Sequence, residues 1–515
     1  MKKQQPISTD SDWNFPLLEQ YETAIAAAAA THGLDTFPNQ IELISSEQMM
    51  HAYASVGLPI YYHHWSFGKR FIHTEQAYRR GQMGLAYELV INSSPCIAYL
   101  QEENTLTMQA LVIAHACFGH NSFFKGNYLF KTWTDPESIV DYLVFARDYI
   151  SKCEARYGEQ EVESLLDACH ALMNYGVDRY QRPHPISMAE EKARQTQREE
   201  SLQQQVNDLW RTIPTKDQPQ EDFDEERYPA EPQENLLYFF EKDAPLLAPW
   251  QREIIRIVRK MGQYMYPQRQ TQVMNEGWAC FWHYQLLHDL YDQGLVTDGF
   301  MIEFLQSHTN VVFQPAFDSP MFSGINPYAL GFAMMCDIRQ ICESPDAEDR
   351  HWFPDLVDTP WRESLHFAMA NFKDESFIQQ YLSPRLIRKM RLFSVMDDAS
   401  KDYLEITSIH NDQGYQHIRD ALAGMYNLGN NEPNIQVVNA NIRGDRSLTL
   451  VHRMFNNRPL EADSGNDVMR YIQRLWGFDV NLESRQDDKL IQTLQWPPPG
   501  EIKSETNMTA IAIVI

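Results

Sequence analysis

The sequence predicts a mainly α-helical large domain with a few short strands, followed by a small α+β module. Two observations carry this reading. Apolar residues recur at three- and four-residue spacing through most of residues 1–400, and after about residue 400 short β-branched runs alternate with helical ones. Within 515 residues, of which 43% are hydrophobic and 12% aromatic, there is enough apolar material for more than one buried core.

Residues 12–32 carry the helical spacing, and the run AIAAAAA inside them is too short and too flanked by polar groups to be a membrane span. Residues 60–100 have another texture: YYHHWSFGK, FIHTE, ELVIN and SSPCIAYLQ hold aromatic and β-branched clusters broken by Gly and Ser-Pro, which predicts a few short strands. A helix is expected over 135–157, opened by Asp-Pro-Glu, and another over 160–175, ended by Gly176. Residues 186–235 hold 13 acidic and 6 basic residues, with many Gln and several Pro. That composition cannot bury enough surface to offset its ordering entropy, so it reads as a polar acidic insertion in the large domain. Helical patterns resume in 243–291, with Pro267 separating two helices, the second from about Thr271. Further helices are expected before and after a loop at 314–326, and a closing helix at 375–395.

Over 401–490 the expected order is strand (403–408), helix (413–426), strand (435–439), strand (447–453), helix (463–475), strand (478–482). That is β-α-β-β-α-β, the order of a ferredoxin-like module. Residues 491–515 form a tail ending in AIAIVI, too short to cross a bilayer.

Charge narrows the function classes. With 70 acidic against 44 basic residues, the net charge is −26, which argues against broad binding to nucleic acid or anionic lipid. Seven cysteines, an odd number without a CxxC pair, argue against a disulfide framework. MKKQQPISTDSDW lacks an apolar h-region, so a cytoplasmic protein without integral membrane association is expected. No GxxxxGK[ST], GxSxG or GxGxxG occurs, which removes the usual support for nucleotide hydrolysis, Ser-hydrolase chemistry and hydride transfer.

Two segments carry chemistry. In QALVIAHACFGHNSFFK, His115 and His120 stand five apart. On a regular helix such residues diverge by about 140°, so they converge only if the helix carries a π-bulge or ends between them, and Gly119 eases either. In TQVMNEGWACFWHY, Glu276 and His283 stand seven apart on nearly one helical face, with Cys280 between them, Asn275 as an expected cap, and Gly277 admitting a neighbouring backbone. A carboxylate among Trp278, Phe281 and Trp282 needs a cation or donor. Two His and one Glu form a known zinc ligand set with a position left for water. The plainer alternative is that each histidine is a satisfied packing residue, since H-x4-H alone is a weak spacing. Cys117 and Cys280 read as small buried hydrophobes. The histidines of Tyr62-HH-Trp65 and His73 read as packing or surface groups. Glu88 and Glu241, in apolar surroundings, are candidate acid/base groups or structural hydrogen-bond partners, and His308 precedes a loop that could line the same pocket.

VIAHACFGHNSFFK, CHALMNYGVDRY at 169–180, APWQREIIRIVR at 248–259, PQRQTQVMNEGWACFWHY at 267–284, NPYALGF at 326–332 and LTLVHRMFNNRPL at 448–460 resemble the SpoVR-like family in its proteobacterial branch. The resemblance covers nearly the whole chain. It implies a role in sporulation or in starvation and stress responses, in company with a PrkA-type serine protein kinase and a YeaH-like protein. A looser likeness, of H-x4-H followed by N-E-G-x-A, is to the HExxxH and EG-[LW]-A layout of zincin-like carboxypeptidases. It implies a zincin-like helical core in which His115, His120 and Glu276 bind a divalent metal, zinc by preference. His283, His308 and Asn275 would stand around them. Ala116 occupies the place of the peptidase's catalytic Glu, so Glu88 or Glu241 would have to move protons. Two expectations follow: a metal-dependent hydrolase of peptide or amide bonds, or a catalytically inactive zincin-like scaffold that binds partner proteins.

Overall fold

The computed structural model describes residues 5–55, 58, 61–79, 88–179, 228–229, 231–316, 319–393, 395–396, 405–406, 409, 411–442, 444–455, 458–487 and 489–497. Most of the acidic insertion at 186–235 and of the tail at 491–515 lies outside them. Helices dominate the described residues, with nine strands among them, and the chain divides into two compact units. One joins Met1–Glu159 to Gln263–Asn431; the other joins Gln160–Gly262 to Glu432–Ile515. No described helix is long and apolar enough to cross a membrane. All seven cysteines are free thiols.

The first unit is built around the helix Gln272–Gln293, which is buried nearly all round, as its run of apolar residues without a polar face requires. Its first N–H groups are closed by a carboxylate from elsewhere in the chain. Asp374 Oδ2 accepts from the Val273 N–H and Oδ1 from the Met274 N–H, each at 2.9 Å. Burial pushes the Asp374 carboxyl up to about 7, against those two donors. On one side the helix meets the segment Leu106–Gly126, and on another the helix Pro327–Glu343. Both contacts depend on glycine. A Cβ on Gly119 would stand 2.6 Å from Ala279 Cα, and one on Gly277 only 2.4 Å from the Gly331 carbonyl carbon. Gly277 therefore admits a neighbouring backbone, as its place beside Glu276 predicts.

A three-stranded sheet flanks this core. Its order is β1 (Asn39–Ile44), β3 (Cys96–Gln101), β2 (Glu88–Ile91), with β1 parallel and β2 antiparallel to β3. β2 lies against the segment that bears His115 and His120, which brings the first residue of the strand, Glu88, to the site.

Three expectations need correction. The aromatic run expected as strand near 60–80 contains the helix Trp65–Arg79, because clusters of aromatic residues weigh less than tertiary context. Pro267 does not separate two helices: the helix Pro249–Gln270 runs through it, and the Pro267 carbonyl is taken up by the Thr271 hydroxyl at 2.8 Å. The ferredoxin-like order also differs from the observed sheet. β6 (Asn434–Ala440), β7 (Leu448–Arg453), β8 (Val480–Gln486) and β9 (Lys489–Trp496) lie in that order, antiparallel, parallel and antiparallel. The helix Ala462–Trp476 connects β7 to β8, as parallel pairing demands. The segments expected to supply the first strand and helix belong to the first unit. There, β5 (Glu405–Ile406) pairs with β4 (Val395–Met396), and Asp412–Tyr426 packs on Asp374–Tyr381.

Candidate metal centre

The two histidines five apart are brought together by the first of the two devices their spacing allows. Ile113–His120 is a π-helix, continuous with Leu106–Val112 before it and Asn121–Gly126 after it. The wider turn puts both imidazoles on one side, with ring centroids 4.6 Å apart and planes nearly perpendicular at 88°. Phe124, one turn on, stacks against the His120 ring at 5.9 Å. Both histidines are buried, at 4% and 7% exposure.

Two carboxylates face them. Glu276 Oε2 lies 3.7 Å from His115 Nε2 and 3.6 Å from His120 Nε2, and Glu88 Oε1 lies 3.3 Å from His115 Nε2. The Tyr328 hydroxyl donates to Glu276. The Glu88 and Glu276 side chains keep 17% and 18% exposure, although one oxygen of each is buried.

The donor pattern of His120 is set from outside. Its Nδ1 lies 2.9 Å from Asn275 Oδ1, an oxygen that can only accept, so Nδ1 carries the proton and Nε2 presents a lone pair to Glu276. Asn275 is thus an orienting residue inside the helix, and the cap position predicted for it belongs to Thr271. A lone pair facing a carboxylate oxygen at 3.6 Å is repulsive unless something positive lies between them. In agreement with that, Glu276 Oε2 and Glu88 Oε2 are buried oxygens without a hydrogen-bond partner. Donors held about 2.1 Å from one tetrahedral ion stand about 3.4 Å apart, and the separations of 3.3, 3.6 and 3.7 Å bracket that value. The set of two imidazoles and a carboxylate with the mutual spacing of a metal-ligand group is Glu88, His115 and His120; Glu276 stands beside it at the distances above.

Electrostatics divide the roles. Burial raises the Glu88 carboxyl to about 7; His115 opposes this and the Glu276 charge adds to it. Burial lowers His120 to about 4, against the pull of Glu276 and with the push of His115. For His115 burial works against charge, but Glu88, Cys280 and Glu276 outweigh it and hold the ring well above the usual range. Glu276 is held below the usual carboxylate range: burial would raise it, and the two histidines prevail.

A second set, His115, Cys280 and His283, also has ligand spacing. Its two imidazoles are not convergent, however. Their Nδ1 atoms lie 2.8 Å apart while the ring centroids lie 5.1 Å apart, so the nitrogens sit on the line between the rings and point at each other. That is a hydrogen bond, and it leaves His115 Nε2 to the carboxylates. His283 Nε2 in turn lies 2.7 Å from His308 Nδ1.

Of the residues predicted from sequence, His115, His120, Glu276, Asn275, His283, His308 and Glu88 come together. Glu241 does not join them. It lies in the second unit, where its Oε2 accepts from the Arg259 guanidinium at 2.8 and 2.9 Å and its Oε1 from Lys242 at 2.8 Å. Sequence reasoning missed Tyr328, which nothing in NPYALGF marks as a partner of Glu276, and it treated Cys280 as packing although its thiol bonds to His115.

Residues 12–431 match the family described as SpoVR like protein, and residues 433–487 match the SpoVR-like C-terminal domain. The chain belongs to the SpoVR family. It is 63% identical over 493 residues to the protein of Escherichia coli (strain K12) named "Uncharacterized protein YcgB", covering 96% of each chain. No solved structure matches it. The boundary between the two family segments, at 431–433, coincides with the second of the two points where the chain passes from the first compact unit to the second; the first, at 159–160, lies within the longer match.

Proposed function

We propose that this SpoVR-family chain is a metal-dependent hydrolase of peptide or amide bonds, with His115, His120 and Glu276 as the metal ligands. The observation that carries the proposal is the buried Glu276 Oε2 facing two imidazole Nε2 atoms at 3.6 and 3.7 Å, beyond normal hydrogen-bond length from either. The donor set of two nitrogens and one carboxylate oxygen fits zinc. A divalent ion in such a set supplies Lewis acidity, polarising a carbonyl and lowering the pKa of water.

The other residues act on protons and orientation. Asn275 holds the His120 ring with its lone pair inward. Tyr328 holds Glu276. Glu88 suits the proton-moving role that Ala116 cannot take: it enters from β2, within 3.3 Å of His115 and partly exposed, with a carboxyl near neutrality that can both accept and return a proton. The pairing of a histidine-bearing helix with a second helix bearing Glu-Gly supports the zincin-like reading of this core.

The test is a set of variants read for zinc content and for release of amines from a peptide library. Glu88→Gln is expected to keep about one equivalent of metal while losing 10²–10⁴-fold in turnover. Glu276→Gln is expected to lose both. The second reading is a scaffold whose metal site has no catalytic part, working beside a PrkA-type serine protein kinase and a YeaH-like protein. It is favoured by the missing carboxylate at Ala116, and it would stand if metal-free protein captured the kinase as well as the loaded form does.

A further inference from the structure

Three imidazoles stand in line behind the proposed metal position. His115 Nδ1 and His283 Nδ1 are 2.8 Å apart with centroids at 5.1 Å, and His283 Nε2 and His308 Nδ1 are 2.7 Å apart with centroids at 5.0 Å. In both pairs the separation of the centroids is nearly the nitrogen distance plus the two ring radii, so each bond is close to linear. His283 and His308 are buried at 1% and 4% exposure, which leaves no bulk water to substitute for either partner. The last ring is held by packing: Phe332 and Tyr284 stand 4.7 and 4.9 Å from His308, and Phe304 flanks both His283 and His308 at 5.9 Å.

We infer that His308, two rings removed from the metal, is a positioning residue that fixes the tautomer of His115 as a ligand. The inference rests on the metal reading above and deepens it. A ligand at His115 Nε2 must give up any proton there and present a lone pair, so the one proton left on the ring sits on Nδ1. The atom at hydrogen-bond distance from His115 Nδ1 is His283 Nδ1, at 2.8 Å, and to receive that proton it must be an acceptor. The neutral His283 ring therefore carries its proton on Nε2 and donates it to His308 Nδ1. His308 completes the sequence by being unprotonated at Nδ1 and protonated at Nε2. If His308 Nδ1 were instead a donor, the same logic would run backwards and place a proton on His115 Nε2, aimed at Glu88 and closed to a metal.

An asparagine can imitate an accepting Nδ1, whereas a leucine of similar bulk cannot. The experiment uses the full chain stripped of metal, with Zn²⁺ alone as the probe and a chromophoric chelator as competitor, for the wild type, His308→Leu, His308→Asn and His115→Ala. Loss of a hydrogen-bonding partner behind a ligand typically costs 10- to 100-fold in metal affinity. Zn²⁺ affinity is therefore expected to fall about 10-fold or more in His308→Leu, to be largely restored in His308→Asn, and to be lost in His115→Ala. A readout independent of folding in the variants is ¹⁵N NMR of histidine-labelled, Zn²⁺-loaded wild type, where His308 is expected to show an unprotonated Nδ1. Equal affinity in wild type and His308→Leu, or a protonated His308 Nδ1, overturns the inference and leaves the metal reading standing. A wild type that does not take up Zn²⁺ overturns both.

Discussion

At the scale of single residues, the centre depends on histidines held in states they would not choose in water. Burial depresses His120 to about 4 in the folded chain, against an unfolded value of about 6.5. Between those values the unfolded chain binds a proton that the folded chain refuses. The stability associated with neutral His120 is therefore complete above pH 6.5 and is lost as the pH falls towards 4, by about 3 kcal/mol in all. The proposed metal would steepen the slope, because a proton and a metal compete for the same Nε2. Urea denaturation at pH 7 and pH 4.5 is expected to show a smaller acid loss for His120→Gln than for the wild type; parallel losses would contradict the assignment. That Glu88, His115, His120 and Glu276 belong among the candidate residues was legible, because ionisable groups in apolar runs must be satisfied, and the structure brings the four together. The role of Asn275 was not legible, since a cap and an orienting amide look alike in sequence. Nor was the separation of Glu241, whose apolar neighbours belong to another core and whose charge is met by Arg259 and Lys242.

At the scale of elements, the site depends on helices that approach more closely than side chains allow. A Cβ on Gly331 would stand 2.0 Å from the Val273 carbonyl oxygen, and one on Gly277 within 2.5 Å of the Gly331 Cα. These clashes are with backbone, so they cannot be relieved by a rotamer change, and the helices must part. Gly277→Ala is expected to destabilise the chain by about 1–3 kcal/mol or more and to move Glu276, one residue away, off the imidazoles. Gly424→Ala is the control. That glycine sits in a helix with its nearest neighbour 3.5 Å away, so alanine should be neutral or stabilising by about 0.5–1 kcal/mol. Thermal melts with zinc affinity on the same samples check the pair; equal behaviour of the two variants would sink the packing argument. The π-helix was one of two outcomes legible in the five-residue spacing, a helix ending between the histidines being the other, and the structure takes the first. The strand β9 and the helix Trp65–Arg79 were not, because short aromatic and β-branched segments read alike until their neighbours are known.

At the scale of the molecule, the centre is assembled within the first compact unit from segments far apart in sequence: β2, the π-helix and the Gln272–Gln293 helix, with His308 and Tyr328 from the two helices that follow. The large excess of acidic residues that argues against nucleic-acid binding is compatible with taking up a cation at such a place. The family assignment, legible in the long motifs, extends over both units, whereas the topology of the second sheet emerges only from pairing between strands. The central claim is that the imidazole Nε2 atoms of His115 and His120 and the carboxylate of Glu276 converge on one ion. Zinc K-edge X-ray absorption of the loaded chain tests it most directly. The expected spectrum contains only nitrogen and oxygen scatterers at about 2.0–2.2 Å, with the outer-shell signature of two imidazoles. A sulfur scatterer at about 2.3 Å would move the ion to Cys280, and so contradict the arrangement of ligands derived from the structure.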